Sequence, residues 1–201
     1  TAVLSLIYGA SQDIQVLKIK QLVLSIFMFL LPPLVAGYFW FDKPIEAYSL
    51  HRAPATNQLI ATLLLVVGIV PFINLLGYIN EQMVLPPFLA SLEQHFRELE
   101  DLAAELTSRM LDVKTFGGFA FNILLIALMP ALSEELLCRG AMYRVISEKF
   151  NLHVAVWLVA VIFSLVHFQM YGFLPRMVLG AVLGYLLVWS GSLWLPIIAD
   201  F

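Results

Sequence analysis

An all-α fold, a polytopic transmembrane helix bundle with an extramembrane amphipathic helix between two of its spans, is what this sequence predicts. Three observations carry that expectation. Of the 201 residues, 61% are hydrophobic and 12% are charged, against roughly 45–50% and about 25% in soluble domains. The apolar residues gather into stretches close to the ~20 residues that a helix needs to cross the hydrocarbon core. The polar residues fall mostly between those stretches. Such a composition excludes a disordered chain, a nucleic-acid binder and a disulfide scaffold. The net charge of −3 gives no argument for a polyanionic partner, and the single cysteine, Cys138, excludes an internal disulfide.

Taken in order, residues 1–8 are apolar from the first position and read as the tail of a cut helix. A last apolar run begins at Ser192, so the chain is expected to be a piece of a longer polytopic protein, truncated at both ends. Residues 19–41 form the first complete span, with Lys20 its one charge before Asp42. A polar connector with Pro44 and Pro54 follows, and then a second span, residues 58–78, without charge. Residues 79–115 differ: Leu92, Phe96, Leu99, Leu102 and Leu106 interleave with Glu93, Glu98, Asp101, Glu105 and Asp112. Three- and four-residue spacing of this kind describes an amphipathic helix. Its bases are only Arg97, Arg109 and Lys114, too few for strong attraction to anionic lipid. It is therefore expected to lid the bundle from outside the membrane. The third span, 116–133, runs on into Glu134; the fourth, 154–168, is interrupted only by His167; the fifth, 177–190, begins near Gly172. Gly180 and Gly184, with Ala181 and Gly172, supply a small-residue face for close helix packing. Lys and Arg divide almost evenly between the two faces, and discounting the long loop leaves a slight lean towards a cytoplasmic face bearing Lys43, Arg52, Arg139, Arg144 and Lys149.

The informative residues are ionisable groups inside apolar helices. A charge in the membrane costs several kcal/mol, about 2.5 or more, so it faces a partner or a cavity. From Pro130 to Gly140 the chain carries two adjacent carboxylates and an arginine. Glu135 and Arg139 are four apart and share a helix face, whereas Glu134 points about 100° away. The pair can then neutralise itself and hold the helix, leaving Glu134 for chemistry. The plainer alternative is three interfacial residues that pair and snorkel. Pro130 is expected to kink the helix, with Ser133 capping a restarted segment. On the next helix Phe163 and His167 are also four apart. A lone His in an apolar helix is commonly a hydrogen-bonded interior residue, but an intramembrane Glu on the neighbouring helix lets the two share a cavity.

Glu134-Glu135-x-x-x-Arg139 and Phe163-x-x-x-His167, on consecutive membrane helices, resemble the EExxxR and FxxxH motifs of the CPBP intramembrane proteases. That family, also called ABI, contains the CAAX prenyl endopeptidases and bacteriocin-processing relatives. The segments Phe173–Gly180 and Gly191–Asp200 are similar to those that follow the motifs in bacterial members. The resemblance is tight from about Asn122 to Phe201 and looser upstream. It implies a single transmembrane domain over 1–201, with 79–115 as its extramembrane connector and 116–201 as catalytic core helices. It also implies a place in a bacterial inner membrane. One position departs: the family's third motif has a histidine where this chain has Asp200, with the Asn that should follow falling beyond residue 201.

The resemblance implies hydrolysis of a peptide bond in a membrane-associated peptide or protein, with Glu134 activating water and His167 orienting it. Glu135, Arg139 and Phe163 then support the site. Asp200 takes the place of an oxyanion-stabilising histidine, either donating as a neutral acid or orienting His167 as an anion. No metal or other cofactor is expected: the core offers one His and one or two carboxylates, with no HExxH, against the three or four ligands usual for zinc. An oxygen-rich site for a divalent ion stays open. Two other functions compete: a catalytically weakened scaffold or partner-binding protein, motivated by Asp200, and a proton-coupled transporter using Glu134 and His167 as a relay.

Overall fold

A computed structural model describes residues 14–201, so the apolar stretch at residues 1–8 lies outside the described residues. The described residues form eight helices and no strand: α1 (Ile14–Trp40), α2 (Pro44–Ala47), α3 (Thr56–Glu81), α4 (Ala90–Leu111), α5 (Phe116–Ser147), α6 (Leu152–Leu165), α7 (Phe173–Ser190) and α8 (Trp194–Asp200). Helices α1, α3 and α5 are long and apolar enough to cross a membrane, as is α7 together with the 3₁₀ turn Met170–Gly172 before it. Many large apolar side chains of α1 and α3 point outward, among them Phe27, Phe39, Leu63 and Leu64. In lipid this costs nothing, because the surrounding solvent is itself apolar.

Two sequence expectations need correction. The helix carrying Glu134 does not break and restart at Pro130. It continues to Ser147, 32 residues in all. A wide π-helical turn, Ile123–Leu128, immediately precedes Pro130, and the Met129 N–H reaches back five residues to the Leu124 carbonyl. The wider turn changes the hydrogen-bond partners just ahead of the proline, which has no N–H of its own to give, and the helix runs on without a break. Helix α1 repeats the device, with a wide turn at Ser25–Leu30 just before Pro32 and Pro33. Ser133 therefore caps nothing; its Oγ donates to the Met129 carbonyl at 2.6 Å inside the helix. The second correction concerns the fourth span, which is a 14-residue helix that ends at Leu165. His167 lies in the turn beyond it, and Phe168 adopts a left-handed backbone with φ 54°.

Helices α6 and α7 make the tightest pairing. A Cβ on Gly184 would sit 2.9 Å from Val156 Cγ1, and one on Gly180 would sit 3.3 Å from the Ala160 Cα. Glycine is required there by close approach. Gly184→Val should overpack this seam and cost about 1–3 kcal/mol, seen as a lower melting temperature in detergent. An unchanged melting temperature would show that the seam has slack.

Tyr48 wedges between α1 and α5. Its ring lies against Gly37 and Gly140, and its hydroxyl donates to the Pro33 carbonyl at 2.5 Å. The following connector anchors the start of α8. Gly191, with φ +66°, closes α7. Ser192 Oγ donates to the Arg52 carbonyl at 2.5 Å, and Trp194 Nε1 to the Leu50 carbonyl at 2.8 Å. Helix α8 thereby packs on the Met129–Glu135 segment of α5. At the other end of the bundle, α4 buries Leu106 and Met110 against Leu17 of α1, with Ile126 of α5 beside them. Asn122 Nδ2 donates to the last-turn carbonyl of Met110 at 2.7 Å, satisfying a group that a helix end leaves open. Arg97 of α4 pairs with Glu93 at 2.9 Å and lies 4.4 Å over the Tyr171 ring. Asn80, buried at the end of α3, bonds the Met170 carbonyl and the Leu174 N–H, both at 2.8 Å. The turn before α7 is thus clamped by α3 and α4 together.

Candidate active site

The unbroken α5 carries Glu134 past the proline, and the turn after α6 carries His167. They meet in a cavity of about 420 Å³, walled by α1, α4 and α5 and also lined by Gln21, Thr107 and Gln169. Glu134 Oε2 lies 3.9 Å from His167 Nε2. The side chains are 18% and 26% exposed respectively, so they reach the cavity while most of their surface is enclosed. A water 2.8 Å or so from both oxygen and nitrogen fits between atoms at this separation.

The turn that removes His167 from the helix also orients it. A helix end leaves its last carbonyls without partners, and His167 Nδ1 takes one of them, the Phe163 carbonyl, at 2.7 Å. A carbonyl only accepts, so Nδ1 carries the proton. Nε2 then presents a lone pair towards Glu134 and the space between them.

Behind Glu134 lies a dry ion pair. Arg139 Nη1 donates to Glu135 Oε1, and the two side chains are 1% and 0% exposed. The other amino group of Arg139 donates to the Gly180 carbonyl at 2.7 Å. The guanidinium carbon also stands 5.0 Å from the Phe163 ring centroid, and that ring meets the His167 imidazole edge-on at 4.9 Å. Phe163 is therefore the physical link between the two motifs: one face contacts the arginine, one edge the histidine, and its carbonyl fixes the histidine's proton.

Asp200 is half-buried on α8. It lies within electrostatic reach of Glu134, Glu135 and Arg139. Among the described residues it makes no hydrogen bond or ion pair with His167, and it does not line the 420 Å³ cavity. Cys138 is buried with Val159 and Phe163 in an apolar cluster. The remaining histidines stay away from the site; His153, for example, bonds Tyr185 at 2.9 Å.

Sequence reasoning missed Arg176, Gln169 and Glu100. Arg176 Nη2 donates to Gln169 Oε1 at 2.7 Å, and Gln169 lines the cavity. The guanidinium acts electrostatically on Glu134, His167 and Glu100. Glu100 reaches in from α4; burial pushes its carboxyl above the usual range, against the pull of Arg176 and the nearby Tyr171 backbone. Glu93, on the outer part of the same helix, is held below that range by its hydrogen bonds with Arg97 and the Leu85 N–H. The one available signal was Arg176 itself, a lone base inside an apolar run. The spacing of α4 gave no sign of which carboxylate faces it.

Among the described residues no three His, Cys, Asp or Glu side chains are grouped to hold a metal ion. A catalytic zinc takes three protein ligands, and Glu134 and His167 offer two. A family model described as type II CAAX prenyl endopeptidase Rce1-like matches residues 116–201. The match runs from the first residue of α5 through α8 and holds both motifs. Comparison with curated proteins and with solved structures returns no match.

Proposed function

We propose, from the premise that residues 116–201 match the type II CAAX prenyl endopeptidase family model, that this integral membrane protein is an endopeptidase. It cleaves a peptide bond at the membrane with a glutamate-activated water. The observation that carries the reading is the 3.9 Å approach of Glu134 Oε2 to His167 Nε2 at a partly open cavity. A water held there donates one hydrogen to Glu134 and the other to the Nε2 lone pair. Its remaining lone pair then faces a carbonyl carbon presented from the cavity. As the O–C bond forms, Glu134 takes the water proton; as the C–N bond breaks, Glu134 passes a proton to the leaving amine. The Glu135–Arg139 pair, Phe163 and the Phe163 carbonyl act by positioning. The walls are mainly apolar, with Leu24, Met28 and Leu106 among them, which suits a hydrophobic peptide.

Hydrolysis in H₂¹⁸O tests this. The purified protein in lipid bilayers, given a membrane-anchored peptide, should yield one new carboxylate carrying a single ¹⁸O. A protein that leaves peptides intact but moves protons across liposomes in response to a pH gradient would be a transporter instead. One that does neither yet still binds partners would be a scaffold.

Asp200 does not line the cavity; we propose that it reaches the oxyanion side as a neutral hydrogen-bond donor once a peptide is bound. Asp200→Asn should then keep much of the cleavage rate, because an amide also donates, and Asp200→Ala should lose it. Equal loss in both would make Asp200 an orienting anion. Wild-type rates from both would remove it from the site.

A further inference from the structure

Lys18 lies in the first turns of the membrane helix α1 and is only 2% exposed. Its stem is packed away and its ammonium faces a second cavity, where a counter-charge would stabilise it. Among the described residues Lys18 has no hydrogen bond or ion pair. That cavity, of about 360 Å³, lies far along the bundle from Glu134 and His167 and shares no residue with theirs. Lys114, Thr115 and Gly117, at the start of α5, line it too, with Gln15 and one carboxylate, Asp112.

The start of α5 adds donors. Thr115 Oγ1 accepts the Gly118 N–H at 3.1 Å, which leaves the first-turn N–H groups of Phe116 and Gly117 without an intrahelical acceptor. A Cβ on Gly117 would meet nothing within 4 Å, so a ligand can approach that backbone closely. The N-terminus of a 32-residue helix also carries partial positive charge. Among the described lining residues two ammonium groups stand against one carboxylate, and with these N–H groups they suit an anion with several acceptor oxygens. Both α1 and α5, long and apolar enough to cross a membrane, begin at this end, and a bilayer around them would place its headgroups at the level of the cavity.

We propose that this cavity binds a phosphate-bearing anion, the phosphodiester of an anionic lipid or free phosphate, between Lys18, Lys114 and the first turn of α5. The anion neutralises Lys18 and ties α1 to α5, the two helices that wall the larger cavity. The site stands whatever reaction the protein carries out.

The test is thermal unfolding of the full chain in a neutral detergent with added phosphatidylglycerol, phosphatidylcholine or inorganic phosphate. A ligand that binds only the folded protein raises the melting temperature with its concentration. Phosphatidylglycerol should raise it by several degrees more than phosphatidylcholine. Lys18→Met and Lys114→Gln should each erase that difference, and Asp112→Asn should enlarge it. A shift with inorganic phosphate alone at low millimolar concentration would identify the free ion as sufficient. Lys114 is exposed, so Lys114→Gln keeps the test alive if Lys18→Met does not fold; native mass spectrometry should show loss of retained phosphatidylglycerol from it. Equal shifts with the two lipids in the wild type, or an undiminished difference in both lysine variants, would overturn the proposal.

Discussion

Glu134→Gln should lower peptide cleavage by about 10²–10⁴-fold while leaving the melting temperature within a few degrees of wild type. The amide keeps the shape and still hydrogen-bonds a water, but it cannot take the water's proton or return one to the leaving amine. The fold should tolerate the change because among the described residues Glu134 makes no hydrogen bond to the scaffold, only its 3.9 Å approach to His167 Nε2. His167→Gln should reduce cleavage less, because it orients the water and does not move the proton to the amine. A Glu134→Gln variant that cleaves at the wild-type rate would refute the assignment.

Arg139→Ala should be the most destabilising single change in the core. Removing one partner from a buried ion pair leaves the other charge uncompensated and costs about 3–5 kcal/mol. Here the loss extends further. The guanidinium also satisfies the Gly180 carbonyl at 2.7 Å and packs on Phe163, so it joins α5, α6 and α7 at one point. Cleavage should fall along with the melting temperature, since Phe163 in turn holds His167 through a 2.7 Å bond from Nδ1. The double variant Glu135→Leu with Arg139→Met should recover part of the stability, because an apolar pair has no charge to strand. Unchanged melting of Arg139→Ala, with activity lost, would instead mean that the arginine contacts substrate.

Much of the site was legible because its key relations are local. The four-residue spacing of Glu135 and Arg139 put them on one face of a helix, and they are in contact. The same spacing linked Phe163 to His167, although the chain reaches that contact by ending the helix. The histidine ring bonds the carbonyl of Phe163 where a continuing helix would have bonded it with a backbone N–H. Periodicity does not distinguish these cases, since four residues onward is the right partner in both.

Composition and period alone therefore determined the class of this protein. Only helices and closed barrels satisfy the backbone in lipid, and a 61% apolar fraction gathered in continuous span-length stretches selects helices, while the amphipathic spacing of residues 92–106 marks a helix with a polar face. Tertiary structure alone decided three things. It set the wide turns that let Pro32, Pro33 and Pro130 sit in unbroken helices. It set the clamps of Tyr48, Asn80 and Asn122, which bond backbone groups 12 to 94 residues away. It also brought Arg176, Gln169 and Glu100 to the edge of the cavity. The physical reason is the same for all three. A side chain's reach along its own helix repeats every three to four residues and can be read from the chain, whereas its partner on another helix depends on how those helices pack. In a membrane that packing is chosen by small residues and buried polar bonds, with little guidance from the apolar pattern.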